Sequence, residues 1–187
     1  MLTRDEFHAA EQRITSAWHK GDYSDAHAEI GKILRHGSAE MKAEALYLSG
    51  LIKQDTANLD EAQQDWTKAL TYSASGTFLQ QNLEYEIGHV LEQKGCPDQA
   101  LDWYRLALHT CAVGDEFAAD SVLAAFLRIN GEDISEPDRT VIEVAVRKSW
   151  RVLEVPGDPD LTDLPRTITR LSEHLSKSVE QIVKNSE

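Results

Sequence analysis

Seven histidines (His8, His19, His27, His36, His89, His109 and His174) and two cysteines (Cys96 and Cys111) are the residues from which a metal or nucleophile site would be built. Their spacing does not build one. No His-Glu-x-x-His string puts two imidazoles on one helical turn, and no Cys-x-x-Cys pair offers two thiolates to zinc. Gly-x-Ser-x-Gly, the phosphate-cradling P-loop and the Rossmann glycine cluster are also missing. No metal, cofactor or catalytic residue is therefore expected. Two cysteines do not make a disulfide framework and suit reduced thiols.

One string does carry a chemical signal. Asp158-Pro159-Asp160-Leu161-Thr162 resembles the Asp-x-Asp-x-Thr motif of haloacid-dehalogenase-type phosphatases. That resemblance implies an aspartyl-phosphate formed on Asp158, with Asp160 beside it. The chemistry needs the first aspartate at the end of a parallel strand. Here the preceding residues have helical periodicity, and two prolines and a glycine fall within positions 156 to 159. A surface loop leading into a helix cap at Thr162 or Asp163 accounts for the same residues. A phosphatase-like enzyme using Asp158 and Asp160 is kept as the second function class.

The elements that would position any site are helical. From Leu83, apolar or small residues at 83, 87, 88 and 91 share one helical face. Gly95 breaks the run, and Pro97 suits the first turn of a second helix. Ala100, Leu101, Tyr104, Ala107 and Leu108 then recur at spacings of three and four. Upstream, Gly50 precedes Ala62, Trp66, Ala69 and Leu70 at the same intervals. Further upstream, Gly21-Asp22 and Ala26 precede Ile30, Ile33 and Leu34. Ala26, Ala62 and Ala100 stand 36 and 38 residues apart. Asp22, Asn58 and Cys96 share one register before each second helix, and Asp22 with Asp25 and Asn58 with Glu61 are candidate caps.

A Gly, an Ala twelve residues on, then an aromatic and a further Ala resemble the tetratricopeptide repeat (TPR) pattern. The resemblance is close over residues 7 to 112 and looser over 115 to 155. Ala74 and Ala112 occupy the family's proline position, and Lys53 stands where a tyrosine would. The expected fold is an all-α, TPR-like α-solenoid in a single domain, 1–187. Its repeats cover 7–38, 43–74 and 81–112, followed by a divergent hairpin over 115–155. A capping helix over 163–184 carries the stripe Leu164, Ile168, Leu171, Leu175, Val179 and Ile182, since a solenoid must cover its last apolar face. The predicted helices are 3–20, 23–36, 38–55, 59–73, 77–94, 97–112, 115–130, 136–154 and 163–183.

In such solenoids the first helix of each hairpin lines a concave groove, and the resemblance implies which positions face it. Counting from Phe7 gives His8, Glu11, Thr15, Trp18 and His19. Counting from Ala43 gives Glu44, Tyr47, Leu51, Gln54 and Asp55. Counting from Gln81 gives Asn82, Tyr85, His89, Glu92 and Gln93, and the fourth hairpin adds Ser121 and Arg128. The candidate partner-binding set is Trp18, Glu44, Tyr47, Gln54, Asp55, Tyr85, His89, Glu92 and Arg128. Aromatic anchors and arginine dominate protein interfaces. Core packing for Trp18 and Tyr47, with a solvated acidic face, is the competing explanation.

The charge selects among partners. Acids outnumber Lys and Arg by 32 to 19, a net charge of −13. Phosphate backbones and anionic membrane surfaces are disfavoured. The acidic chaperone tails that some TPR proteins clamp with basic residues are disfavoured too. From Asp55 to Asp138 there are sixteen acids against Lys68, Lys94, Arg105 and Arg128. That field would steer a basic protein partner and repel acidic ones. The N-terminus lacks the apolar run of a signal peptide, and no window matches a membrane span, so a cytoplasmic location is expected. The expected function is a non-catalytic protein-binding module. Inhibitor or immunity protein, adaptor, and specialised assembly chaperone or scaffold are the roles that fit.

Overall fold

The computed structural model describes residues 1–114, 117–131 and 133–184, side chains beyond 178 excepted. Val179 and Ile182 of the expected capping stripe therefore lie outside the described side chains, as do Asp115, Glu116 and Glu132. Among the described residues all regular structure is helical: α1 (Arg4–His19), α2 (Tyr23–His36), α3 (Ala39–Asp55), α4 (Leu59–Leu70), α5 (Phe78–Gln93), α6 (Pro97–Val113), α7 (Asp120–Asn130), α8 (Glu136–Val152) and α9 (Leu164–Lys184). Helices α1 and α2, α3 and α4, and α5 and α6 pack as consecutive pairs, and α2 meets α3, α4 meets α5 and α6 meets α7. Helix α8 lies on α6 and α7, and α9 covers α7 and α8.

Small residues set how closely the pairs approach. Ala26, Ala62 and Ala100 are all fully buried. A Cβ on Gly50 would overlap the Trp66 indole, 2.2 Å from Nε1, and one on Gly88 would stand 2.7 Å from the Tyr104 ring. Trp66 and Tyr104 of the second helices thus lie against Gly50 and Gly88 of the first. Burying a side chain of that size contributes roughly 2–3 kcal/mol. The core forms two clusters. One gathers Phe7, Ile14, Ile30, Ile33 and Ile52. The other runs from Leu46 and Trp66 through Tyr104 and Phe126 to Trp150 and Leu171.

The turn inside each pair is the same three times over. Gly21, Ala57 and Gly95 adopt φ of 74°, 59° and 76°. The next residue then closes a six-residue loop: Asp22 N bonds Ala17 O, Asn58 N bonds Lys53 O and Cys96 N bonds Leu91 O. This is the Schellman end, in which a left-handed residue lets the chain satisfy the last helical carbonyls. Glu154, at φ 52°, repeats it after α8, where Val155 N bonds Trp150 O.

Two sequence expectations are corrected. Asp22 and Asn58 do sit at the N-caps of α2 and α4, but neither side chain makes a capping bond. The preceding Schellman turn already fixes the chain's path there. Side-chain caps occur at Thr3, Ser38, Thr77 and Asp163, and at Ser135 with Asp138 as its spacing predicts; no such turn immediately precedes these helices. Helix α7 starts at Asp120, not at 115: Phe117 to Ala119 lie outside any helix, with Phe117 and Ala119 buried. Ala119 N donates to Ser149 Oγ at 2.8 Å, a bond from α8 that draws the chain inward.

Candidate functional site

The first helices of the consecutive pairs are bound to each other by the residues that the groove register selects. Trp18 Nε1 on α1 donates to Asp55 Oδ2 on α3 at 2.7 Å. Arg4 joins Glu44 across the same two helices at 3.3 Å. Gln54 on α3 and His89 on α5 are 3.4 Å apart. Glu92 on α5 receives both Arg128 Nε at 2.9 Å and Nη2 at 2.6 Å from α7. Tyr104 Oη also donates to Glu92, at 2.9 Å. Tyr85 stacks on His89 with ring centres 5.9 Å apart and tilts against Tyr104 at 5.8 Å. Seven of the nine candidate residues, Trp18, Glu44, Gln54, Asp55, His89, Glu92 and Arg128, therefore belong to a band of contacts between α1, α3, α5 and α7. Tyr85 packs on His89 of its own helix and on Tyr104 of α6.

The environment divides these residues. The hydrogen bonds from Arg128 are the main cause holding the Glu92 carboxyl below the usual carboxylate range. Desolvation pushes Glu44 the other way, against the pull of Arg4. Tyr47 is partly buried and packs on the core, and burial pushes its phenol up to about 12. Its carbonyl accepts the Trp66 indole N–H at 3.1 Å. Tyr85 is likewise partly buried and packs on the same core, and it also lines a groove. Arg128 serves as the counter-charge of Glu92, so the acidic excess on this side falls to other residues.

Beside Tyr85 the band opens into a groove of about 750 Å³ between α5, the start of α7, the end of α8 and the middle of α9. Phe78, Tyr85, Phe117, Val122, Val152 and Leu175 give it apolar walls. Glu86 and Asp120 are on its surface, and so is Gln81, which is 3% exposed. Of the lining residues, groove register selects Asn82, Tyr85 and Ser121. Phe117 and Val152 come from segments without groove periodicity, and Leu175 reads as end-cap packing. The exposed Phe78 at the first turn of α5 is the one available signal.

The Asp158 to Thr162 string forms a local turn. Asp160 Oδ1 accepts Thr162 N at 3.0 Å and Thr162 Oγ1 at 2.6 Å, and Thr167 Oγ1 donates to Asp160 O. These bonds from Thr162 hold the Asp160 carboxyl low. Asp163 caps the start of α9 through Arg166 N, as the loop interpretation expects. Among the described residues no strand precedes the motif, and no cluster of three or more His, Cys, Asp or Glu has a metal-holding arrangement. None of the described helices is long and apolar enough to cross a membrane.

No protein-family model, curated protein or solved structure matches the chain.

Proposed function

We propose that the hairpins form a TPR-like solenoid and that the chain is a non-catalytic protein-binding module for a basic protein partner. The observation that carries this reading is the cross-helix band. Residues chosen by groove register alone meet one another from α1 to α7, as they would on one continuous face. Such a face is pre-organised, because its side chains are already held in place before a partner arrives. The net charge of −13 supports a basic partner through steering and through repulsion of acidic competitors. A stoichiometric inhibitor or immunity protein and an adaptor use such a face in the same way, as does an assembly chaperone or scaffold. Selection from a random peptide library tests the reading. Enriched peptides should be basic, and raising the salt from low to physiological strength should weaken them. Enrichment of acidic or neutral peptides would refute it.

A further inference from the structure

The groove beside Tyr85 differs from the rest of the band in having apolar walls and two carboxylates with no Lys or Arg among the described lining residues. Phe78 on its rim is 56% exposed and Val152 is 38% exposed, large apolar surfaces to leave in water. Phe78 and Phe117 meet with ring centres 5.8 Å apart. Among the described lining residues are two carboxylates, Glu86 and Asp120, and no Lys or Arg. His89 Nδ1 is 3.8 Å from Glu86, and Ser121 Oγ donates to Asp120 at 3.3 Å. Gln81 donates its amide to Ala118 O at 3.3 Å, while its buried Oε1 has no partner among the described residues. Asn82 and the Tyr85 hydroxyl add groups that can donate, so the two carboxylates are the formal charges among the described lining residues.

We infer that this groove is the anchor site for a basic amphipathic segment of a partner protein. Aliphatic or aromatic side chains of the segment enter between Phe78, Tyr85, Phe117 and Val122, and a Lys or Arg meets Glu86 and Asp120. The inference rests on the protein-binding reading and adds to it a location and a chemistry. A purely apolar occupant would strip water from two carboxylates without compensation. An acidic or phosphate-bearing segment would add like charge to them. A second copy of this chain brings a net charge of −13 of its own. A volume near 750 Å³ accepts several side chains of a segment, within the range of ordinary ligand pockets.

The test uses the full ¹⁵N-labelled chain and a synthetic peptide of Leu, Lys and one Trp, beside its counterpart with Glu for Lys. The Lys peptide should shift the amides of Phe78, Tyr85, Asp120 and Leu175. Ser121 is exposed, so Ser121→Trp can fill the groove mouth without entering the core; it should weaken binding about tenfold or more, as loss of an anchor pocket does. The double variant Glu86→Gln, Asp120→Asn should weaken it about fivefold at low salt and flatten its salt dependence. Circular dichroism confirms that each variant is folded. Binding of the Lys peptide that shifts the Trp18 and Glu44 region and ignores Ser121→Trp would overturn this site and leave the protein-binding reading standing. Equal binding of the Lys and Glu peptides would overturn both. No binding of the Lys peptide would overturn the site, and so would shifts of the groove amides with protein concentration alone, which would seat a second copy there.

Discussion

Gly50→Ala should destabilise the protein although it adds a better helix former. An ideal Cβ at position 50 would stand 2.2 Å from Trp66 Nε1, 2.4 Å from Cε2 and 2.7 Å from Cδ1. The indole is fully buried, and its N–H is already given to Tyr47 O. Neither the ring nor α3 can retreat without losing packing or that bond. Overpacking a core contact costs about 1–3 kcal/mol. Weakening the indole hydrogen bond adds about 1 kcal/mol. Alanine returns about 1 kcal/mol of helix propensity. The net loss is about 2 kcal/mol, which for a chain of this length lowers Tm by about 4–8 °C. Gly31→Ala is the control, because its Cβ would meet only Arg35 Nη1, at 3.5 Å. Inside α2 it should gain up to about 1 kcal/mol. Thermal and urea unfolding followed by circular dichroism measure both. A Gly50→Ala protein as stable as the parent would refute the close crossing of α3 and α4.

Ala57→Gly should raise Tm by a few degrees, since alanine at φ 59° occupies the place that glycine holds in the two equivalent turns; relief of about 1–2 kcal/mol exceeds the entropy glycine adds to the unfolded chain. Glu84 is buried between Thr110 Oγ1 at 2.7 Å and Gln80 Nε2 at 2.8 Å, and desolvation raises its pKa. The folded chain therefore binds this proton more readily than the unfolded chain, and the group's contribution is lost as pH rises through the raised value. Glu84→Gln should accordingly gain stability over the parent at pH 7, and that gain should shrink towards pH 4 in paired urea titrations. A double-mutant cycle with Glu92→Gln and Arg128→Gln should give a coupling of about 0.5–1 kcal/mol, because the pair is bidentate but Arg128 is largely exposed. Because the Glu92 pKa is lowered, the coupling should be present at neutral pH and lost as pH falls through that lowered value, and 1 M salt should reduce it at any pH.

The helices and their pairing were legible because both follow from periodicity. The alanines at 26, 62 and 100 are buried at the expected crossings, and the glycine–aromatic pairs 50–66 and 88–104 meet. The shared register of Asp22, Asn58 and Cys96 was legible too, but its cause was misassigned. It reflects the backbone turn before each residue, and Ala57 hides that turn in the second pair because alanine rarely signals a positive φ. The late start of α7 was not legible, since it depends on Ser149, 30 residues away. The candidate site divides in the same way. Register selects Trp18, Asp55, Gln54, His89, Glu92 and Arg128 because their helices repeat. It cannot show that Arg128 answers Glu92 across 36 residues, nor that Phe78, Phe117, Val152 and Leu175, from four different segments, wall one groove.

The most direct test of the central claim is photo-crosslinking in the cells that make the protein. A benzophenone amino acid replaces Tyr85 in one variant and the exposed Thr67, on α4, in another. The Tyr85 position should join to one partner protein through a segment rich in Lys or Arg beside apolar residues, and the Thr67 position should not. An acidic segment joined at position 85, or the same partner joined equally at position 67, would contradict the assignment of this face as the site for a basic protein.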